Sequence, residues 1–191
     1  MTPASEAESR PLVLASASPQ RRALLERLGV EFTIRPAGIE EVQQGDPQEV
    51  ARENALRKAR AAYVAGAQET ILGVDTLVAL DGRIYGKPAD EAQARATLRA
   101  LAGATHTVFS GVAVIADDRE RVAVAQTEVG FRRCSKELID WYVASGEWHG
   151  RAGGYAIQGV GAVLVREIHG EYENVVGLPL ATLLDLYPRL L

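Results

Sequence analysis

Hydrophobic and polar positions along the chain predict alternating strands and helices. The apolar run Leu12–Leu14 indicates a short buried strand, and Ser18 followed by Pro19 indicates the start of a helix that ends before Gly29. The longer apolar run Thr70–Leu80 is typical of a strand covered on both faces. We predict further strands at 30–34, 83–85, 105–115, 122–131 and 162–168, and further helices at 47–65, 91–101, 136–145 and 180–186.

This order of elements predicts an α/β protein. Strands alternate with helices, but hairpin turns such as Asp81-Gly82 also occur, so we expect a mixed sheet with helices and two lobes around a cleft. Residues 1–10 are small and polar and predict a flexible N-terminal tail. We predict that residues 11–191 form a single domain.

The composition narrows the classes of partner. The chain has 191 residues, of which 47% are hydrophobic and 24% charged, as in ordinary globular proteins. Its net charge of −4 favours neither nucleic acid nor an anionic membrane as a partner. No apolar run approaches the roughly 20 residues that span a bilayer. The one cysteine, Cys134, cannot form an internal disulfide, so we expect a cytoplasmic protein.

The turn after the first strand has the groups of an anion site. Ser16 and Ser18 offer hydroxyls, the following helix offers its N-terminus, and Arg21 and Arg22 add positive charge. Phosphate is the anion that this combination favours. An ordinary capped helix with solvated arginines explains the same residues equally well.

Asp75 is the most informative residue of the chain. A carboxylate in the middle of a buried strand is usually paired or bound to a metal, although backbone N–H groups can also satisfy it. Glu40 and Asp75 are the best candidates for holding a divalent cation, Mg²⁺ or Mn²⁺, because hard cations prefer oxygen ligands. The sequence does not decide whether Glu40 or its neighbour Glu41 faces the site.

Other polar residues complete a list of candidate groups. Lys58 and Lys87 add cations from two separate segments, and Gln158, in a glycine-rich segment, has an amide that can bind the edge of a base. The three histidines are scattered, so no zinc pattern is present. The glycine-rich segment matches neither a phosphate-binding P-loop nor a dinucleotide motif.

Seven stretches, in the same order, resemble the Maf family of nucleoside triphosphate pyrophosphatases. No single stretch is decisive, but together they cover nearly all of the chain after Arg10. They are Ser16–Arg22, Glu53–Ala59, Gly73–Val78, Gly86–Pro88, Thr105–Ala113, Ala152–Gly159 and Val176–Leu180.

The resemblance implies a fold like that of inosine triphosphate pyrophosphatases, an elongated mixed β-sheet with flanking helices and two lobes around a central cleft. It also implies metal-dependent cleavage of a nucleotide between its α- and β-phosphates. It implies that Asp75 activates the attacking water and that Glu40 and Asp75 hold the cation. Arg21, Lys58 and Lys87 would bind the triphosphate, and Ser16 and Ser18 would donate hydrogen bonds to phosphate. A homodimer is expected by the same likeness.

The resemblance also bears on the base. Thr76 and Gln158 are similar to the version of the family that accepts dTTP and UTP. Gln20 stands where the family usually has arginine, at a position linked to substrate choice, so the base preference stays open. Arg151 stands where lysine is common, which keeps the charge but changes the donor geometry. The alternatives are 7-methyl-GTP or a broader set of modified nucleotides, and a non-catalytic nucleotide-binding regulator of cell division.

Overall fold

A computed structural model describes residues 10–191, so nearly all of the predicted N-terminal tail lies outside the described residues. The strands are β1 (Leu12–Leu14), β2 (Phe32–Ile34), β3 (Thr70–Leu80), β4 (Arg83–Tyr85), β5 (Thr105–Ala116), β6 (Arg119–Phe131) and β7 (Val165–His169). The helices are α1 (Pro19–Arg27), α2 (Pro47–Ala62), α3 (Glu91–Leu101), α4 (Lys136–Ala144), α5 (Tyr172–Val176) and α6 (Leu180–Leu186).

The strands form one mixed sheet. Seven strands take part, six of them in the order β2-β1-β3-β5-β6-β7, and β4 pairs with β3. β1 runs parallel to β2 and β3, whereas the other pairs are antiparallel. The predicted α/β class is therefore confirmed, while the division into two lobes and the likeness to inosine triphosphate pyrophosphatases stay predictions.

One edge of β3 is left uncovered in its middle. β1 pairs with Thr70–Leu72 and β4 pairs with Val78–Leu80, while β5 lies along the other edge of the strand. Among the described residues, no strand therefore covers residues 73–77 on the first edge. This gap contains Asp75, and it is the place where a ligand can reach the middle of the sheet.

Helix α2 lies unusually close to the sheet. Its inner face consists of Ala51, Ala55 and Ala59, all fully buried. A side chain on Gly73 of β3 would place its first carbon 2.3 Å from the Ala55 carbonyl oxygen, and one on Gly111 of β5 would place it 2.1 Å from that of Ala51. Small residues on both surfaces are thus required for this contact, which brings the polar residues of α2 to β3.

The last third of the chain differs most from the prediction. The strand expected at 162–168 begins only at Val165, because residues 160–164 form a 3-10 turn. The Glu147 carboxylate accepts hydrogen bonds from the backbone N–H groups of Val160 and Gly161 at 3.0 and 3.1 Å, which holds this turn in place of an extended strand. The short helix α5 was not predicted. None of the helices in residues 10–191 has the length and apolar character of a membrane span.

Candidate active site

A cleft of about 410 Å³ opens at the uncovered part of β3. Its first wall is formed by the loops that follow β1 and β2, together with Lys58 of α2. Loops beyond the carboxyl ends of parallel strands commonly bind ligands. The second wall is formed by Lys87 and by the segment 150–158. Eight predicted site residues line the cleft: Ser16, Ser18, Gln20, Arg21, Lys58, Thr76, Lys87 and Gln158.

Asp75 is held by two side chains of α2. Its Oδ1 lies 2.6 Å from the Lys58 ammonium, and its Oδ2 accepts a hydrogen bond from Asn54 at 3.1 Å. Only 6% of Asp75 is exposed. A carboxylate has about four acceptor positions, so this arrangement leaves room for one or two further partners such as a water or a cation.

The Lys58 ammonium also joins a second carboxylate to the site. It lies 2.6 Å from Oε1 of Glu41, which lines the cleft. Glu40, our sequence-based choice, is exposed and is not among the residues that line the cleft. The geometry therefore favours Glu41 for the role expected of Glu40, because the loop after β2 turns Glu41 and not Glu40 toward α2.

Asn54 was not among the predicted site residues. Besides binding Asp75, it forms two hydrogen bonds with the backbone of Val42, at 2.8 and 3.0 Å. It thereby fixes the loop that carries Glu41 against the strand that carries Asp75. The available signal was an asparagine inside an alanine-rich helix, where this residue type is intrinsically unfavourable and needs a reason.

Arg21 organises the opposite face of the sheet. Successive residues of a strand point to opposite faces, so Thr76 points away from the side of Asp75. Arg21 donates to the Gly177 carbonyl at 2.9 Å, to Ser16 at 2.8 Å and to Thr76 at 3.1 Å. Three of its five N–H groups are used in this way, which leaves two for a ligand. Burial lowers the pKa of Arg21, and the charges of Asp75 and Glu41 oppose that change.

The opening turn differs from the expectation in two details. Ser18 is the N-cap residue of α1, as predicted, but its side chain makes no capping hydrogen bond and donates instead to Oε1 of Gln20 at 3.1 Å. Arg22 is exposed and forms an ion pair with Glu26 one turn further along α1, so it does not line the cleft. Positions on a helix are about 100° apart, and this rotation directs Arg21 inward and Arg22 to solvent.

The second wall has a rigid aromatic backing. Tyr155 lines the cleft, and its hydroxyl lies 2.9 Å from Nε2 of His106, which is 1% exposed. Both rings pack edge-on against Phe131. Burial lowers the pKa of His106 to about 4 and raises the pKa of Tyr155. His106 is therefore an uncharged core residue at neutral pH, as expected from its lack of metal-ligand neighbours.

The acidic residues fit a cation that takes few protein ligands. Within residues 10–191 there is no group of three or more His, Cys, Asp and Glu side chains arranged to hold a metal ion. Glu41 and Asp75 nevertheless share one positive group, the Lys58 ammonium, at 2.6 Å each. A pair of carboxylates suits Mg²⁺ or Mn²⁺, which complete their shells with water and substrate phosphates.

Comparison with known proteins assigns the family. The chain matches the family Maf, described as Maf-like protein, over residues 11–190. It belongs to the Maf family. A protein of Moorella thermoacetica named dTTP/UTP pyrophosphatase is 49% identical over 92% of this chain and 92% of its own length. A protein of the same name from Symbiobacterium thermophilum is 46% identical over 88% of this chain and 88% of its own length. Another from Pyrococcus furiosus is 42% identical over 92% of this chain and 93% of its own length.

Proposed function

We propose that this protein is a nucleoside triphosphate pyrophosphatase that converts dTTP and UTP to the monophosphate and pyrophosphate. The names of its relatives support the activity, because the match extends over most of both chains. The observation that carries the proposal is the buried Asp75, held by Asn54 and by Lys58, the second of which lines a cleft together with further cations. A cleft of about 410 Å³ lies in the size range of nucleotide-sized ligands.

In the proposed reaction, water attacks the α-phosphorus and pyrophosphate leaves. Asp75 accepts the proton of that water on its carboxylate, and the hydrogen bond from Asn54 keeps the carboxylate oriented. Lys58 stabilises the negative charge that develops on the phosphate oxygens. The two unused N–H groups of Arg21 and the hydroxyls of Ser16 and Ser18 bind the triphosphate.

We further propose that Glu41 and Asp75 hold a divalent cation, Mg²⁺ or Mn²⁺, together with the substrate. Such a cation would act as a Lewis acid on the phosphate oxygens. Glu41 lines the cleft from its loop, whereas Asp75 is 6% exposed, is not among the lining residues and pairs with Lys58, which does line the cleft. The Lys58 ammonium lies 2.6 Å from each of them and holds both carboxylates in position before substrate arrives.

We propose that three uncharged residues recognise the nucleobase of the substrate. Gln20, Thr76 and Gln158 all line the cleft. Amide groups offer both a donor and an acceptor, which suits the alternating edge of thymine or uracil. The homodimer expected from the family likeness and the cytoplasmic location expected from the single cysteine also stay proposals.

A panel of nucleotides tests this function. Pyrophosphate release should be measured for dTTP, UTP, CTP, GTP and 7-methyl-GTP, each with Mg²⁺, with Mn²⁺ and with excess EDTA. We expect dTTP and UTP to be the best substrates and EDTA to stop the reaction. A preference for 7-methyl-GTP would overturn the base assignment, and binding without release would favour a regulator. Undiminished release in EDTA would remove the metal from the proposal.

A further inference from the structure

The backbone around Gln158 decides where its amide meets a ligand. The Gln158 side chain is exposed and lines the cleft. An exposed side chain has few neighbours to direct it, so its reach depends on the chain that carries it. The Ala156 carbonyl accepts a hydrogen bond from the Gly159 N–H at 3.2 Å, which closes a tight turn around Gln158. Whatever fixes this turn therefore also places the amide.

The Glu147 carboxylate holds the chain just after Gln158. Its two oxygens accept hydrogen bonds from the N–H groups of Val160 and Gly161, at 3.0 and 3.1 Å. Hydrogen bonds to a charged acceptor are stronger than those to a neutral one. Gly159 allows this approach, because a side-chain carbon there would collide with Oε1 of Glu147. Glu147 is not among the residues that line the cleft, so it holds the turn without facing the ligand.

Glu147 stands on a rigid base. Its backbone N–H donates to the Ser145 hydroxyl at 3.3 Å. The next residue, Trp148, is buried, and its indole N–H donates to the Val143 carbonyl at 3.1 Å. These contacts fix the turn after α4, and the carboxylate therefore reaches across from a defined position.

The chain just before Gln158 is held from the same part of the molecule. Tyr142 of α4 is fully buried, and its hydroxyl accepts a hydrogen bond from the Ala156 N–H at 3.0 Å. The two anchors of Gln158, Tyr142 and Glu147, thus belong to α4 and the turn that follows it. Removing one of them frees one side of the Gln158 turn and leaves the other side attached.

We propose that Glu147 is a positioning residue, which places the Gln158 amide against the nucleobase of the substrate. The inference rests on the proposed function, in which Gln158 contacts the base. Hydrogen bonds weaken steeply when donor and acceptor are misaligned, so a small shift of the turn costs affinity for the base. The groups proposed to bind phosphate lie on other segments and do not depend on this contact.

A double-mutant cycle between Glu147 and Gln158 tests this assignment. The affinities of dTMP and of pyrophosphate are measured by inhibition of dTTP hydrolysis and by calorimetric titration, in Glu147→Gln, in Gln158→Ala and in the double variant. We expect each single variant to weaken dTMP binding about five- to tenfold, as for loss of one hydrogen bond. In the Gln158→Ala protein, Glu147→Gln should weaken dTMP by less than about twofold, because the amide that it places is gone. Pyrophosphate has no base, and its affinity should stay within about twofold in all three variants.

Two further measurements separate positioning from folding. Hydrogen exchange at the Val160 and Gly161 amides should become faster in Glu147→Gln and stay unchanged in Gln158→Ala. Glu128→Gln removes the same charge from an exposed position on β6 and is the matched control, which should leave the affinities of both products unchanged.

Three results would overturn the role of Glu147. One is unchanged dTMP binding in Glu147→Gln while Gln158→Ala weakens it, and another is an equal loss from Glu147→Gln with and without the Gln158 amide. The third is an equal weakening of dTMP and pyrophosphate, which a general loss of structure would cause. If Gln158→Ala left dTMP binding unchanged, the base assignment would fail together with this inference. If the unaltered protein released no pyrophosphate from dTTP, the proposed function would fail by itself, and titration with dTMP would still complete the cycle.

Discussion

The two walls of the cleft present their charges in different ways. In the first wall, Arg21 and Lys58 are largely buried and bound to other residues of the protein. In the second wall, Lys87 is exposed and forms no ion pair with the residues that the structure describes. The first wall is therefore ordered by contacts within the protein, whereas the charge of Lys87 in the second wall is free to meet a ligand.

This difference matches a division of labour between chemistry and binding. Groups that stabilise a transition state act best when they are fixed in advance, since no reorganisation is then needed during the reaction. Groups that bind a mobile polyphosphate have to be accessible. We therefore expect substitutions in the first wall to lower kcat or stability, and substitutions in the second wall to raise KM.

The largest effect is expected for Asp75→Asn. The variant keeps the shape of the side chain but loses the acceptor for the proton of water, so kcat for dTTP should fall about 10³-fold. Lys58 keeps its ion pair with Glu41, which should preserve the fold. Steady-state kinetics and titration with dTTP check this prediction. A kcat within tenfold of the original would contradict the role of Asp75.

The next largest effect is expected for Arg21→Lys. A lysine has one nitrogen and cannot reach Gly177, Ser16 and Thr76 together, so we expect a loss of about 2 kcal/mol in the free energy of unfolding. Urea denaturation measures this change. Arg22→Lys is the matched control, because Arg22 is exposed, and it should change stability by less than about 0.5 kcal/mol. Equal effects of the two variants would show that Arg21 does not organise the first wall.

His106 behind the second wall predicts a dependence of stability on pH. Its pKa is lowered from 6.5 to about 4, so between these values the unfolded chain binds a proton that the folded chain does not. The contribution of His106 to the free energy of unfolding therefore decreases as the pH falls, by about 2 kcal/mol between pH 7 and pH 5. Urea denaturation at the two pH values should show a smaller loss in His106→Gln than in the original protein. The matched control is His149→Gln, because His149 is exposed. If His106→Gln lost as much stability between the two pH values as the original protein, His106 would not be the cause of this pH dependence.

Lys87→Gln should affect binding more than chemistry. Because Lys87 makes no ion pair within residues 10–191, its loss should leave thermal stability unchanged and raise the KM for dTTP about tenfold. Lys136→Gln removes the same charge from the start of α4, away from the cleft, and should leave the KM unchanged. A drop in kcat at constant KM would instead place Lys87 with the groups of the first wall.

The smallest effect is expected for Ser18→Ala. The Ser18 hydroxyl binds Gln20 and does not cap α1, so its removal should change stability by less than about 0.5 kcal/mol. Asp46 caps α2 through the N–H groups of Gln48 and Glu49, and Asp46→Ala should cost about 1 kcal/mol. Urea denaturation compares the two variants. A similar loss in both would mean that Ser18 acts as a cap in solution.

Local sequence signals located most elements of the fold. The run Thr70–Leu80 became a strand with the predicted ends. The helices predicted to start at residues 47, 91 and 136 start there, each after a capping side chain, of Asp46, Asp90 and Ser135. These features depend on residues a few positions apart, which the sequence displays directly. The turn at residues 160–164 was missed because it depends on Glu147, a carboxylate more than ten positions away.

The sequence by itself determined which chemical groups this protein possesses and where the chain turns: a buried Asp75, cations on separate segments, and the order of strands and helices. The tertiary structure decided which of them meet. Only the close packing of α2 on Gly73 and Gly111 brings Lys58 and Asn54 to Asp75, and only the fold of the loop after β2 selects Glu41 over Glu40. Likewise, docking of the Gly153 segment on the Lys87 turn gives Arg151 its place in the cleft. Such contacts join residues that are far apart in the chain, and no local pattern encodes them.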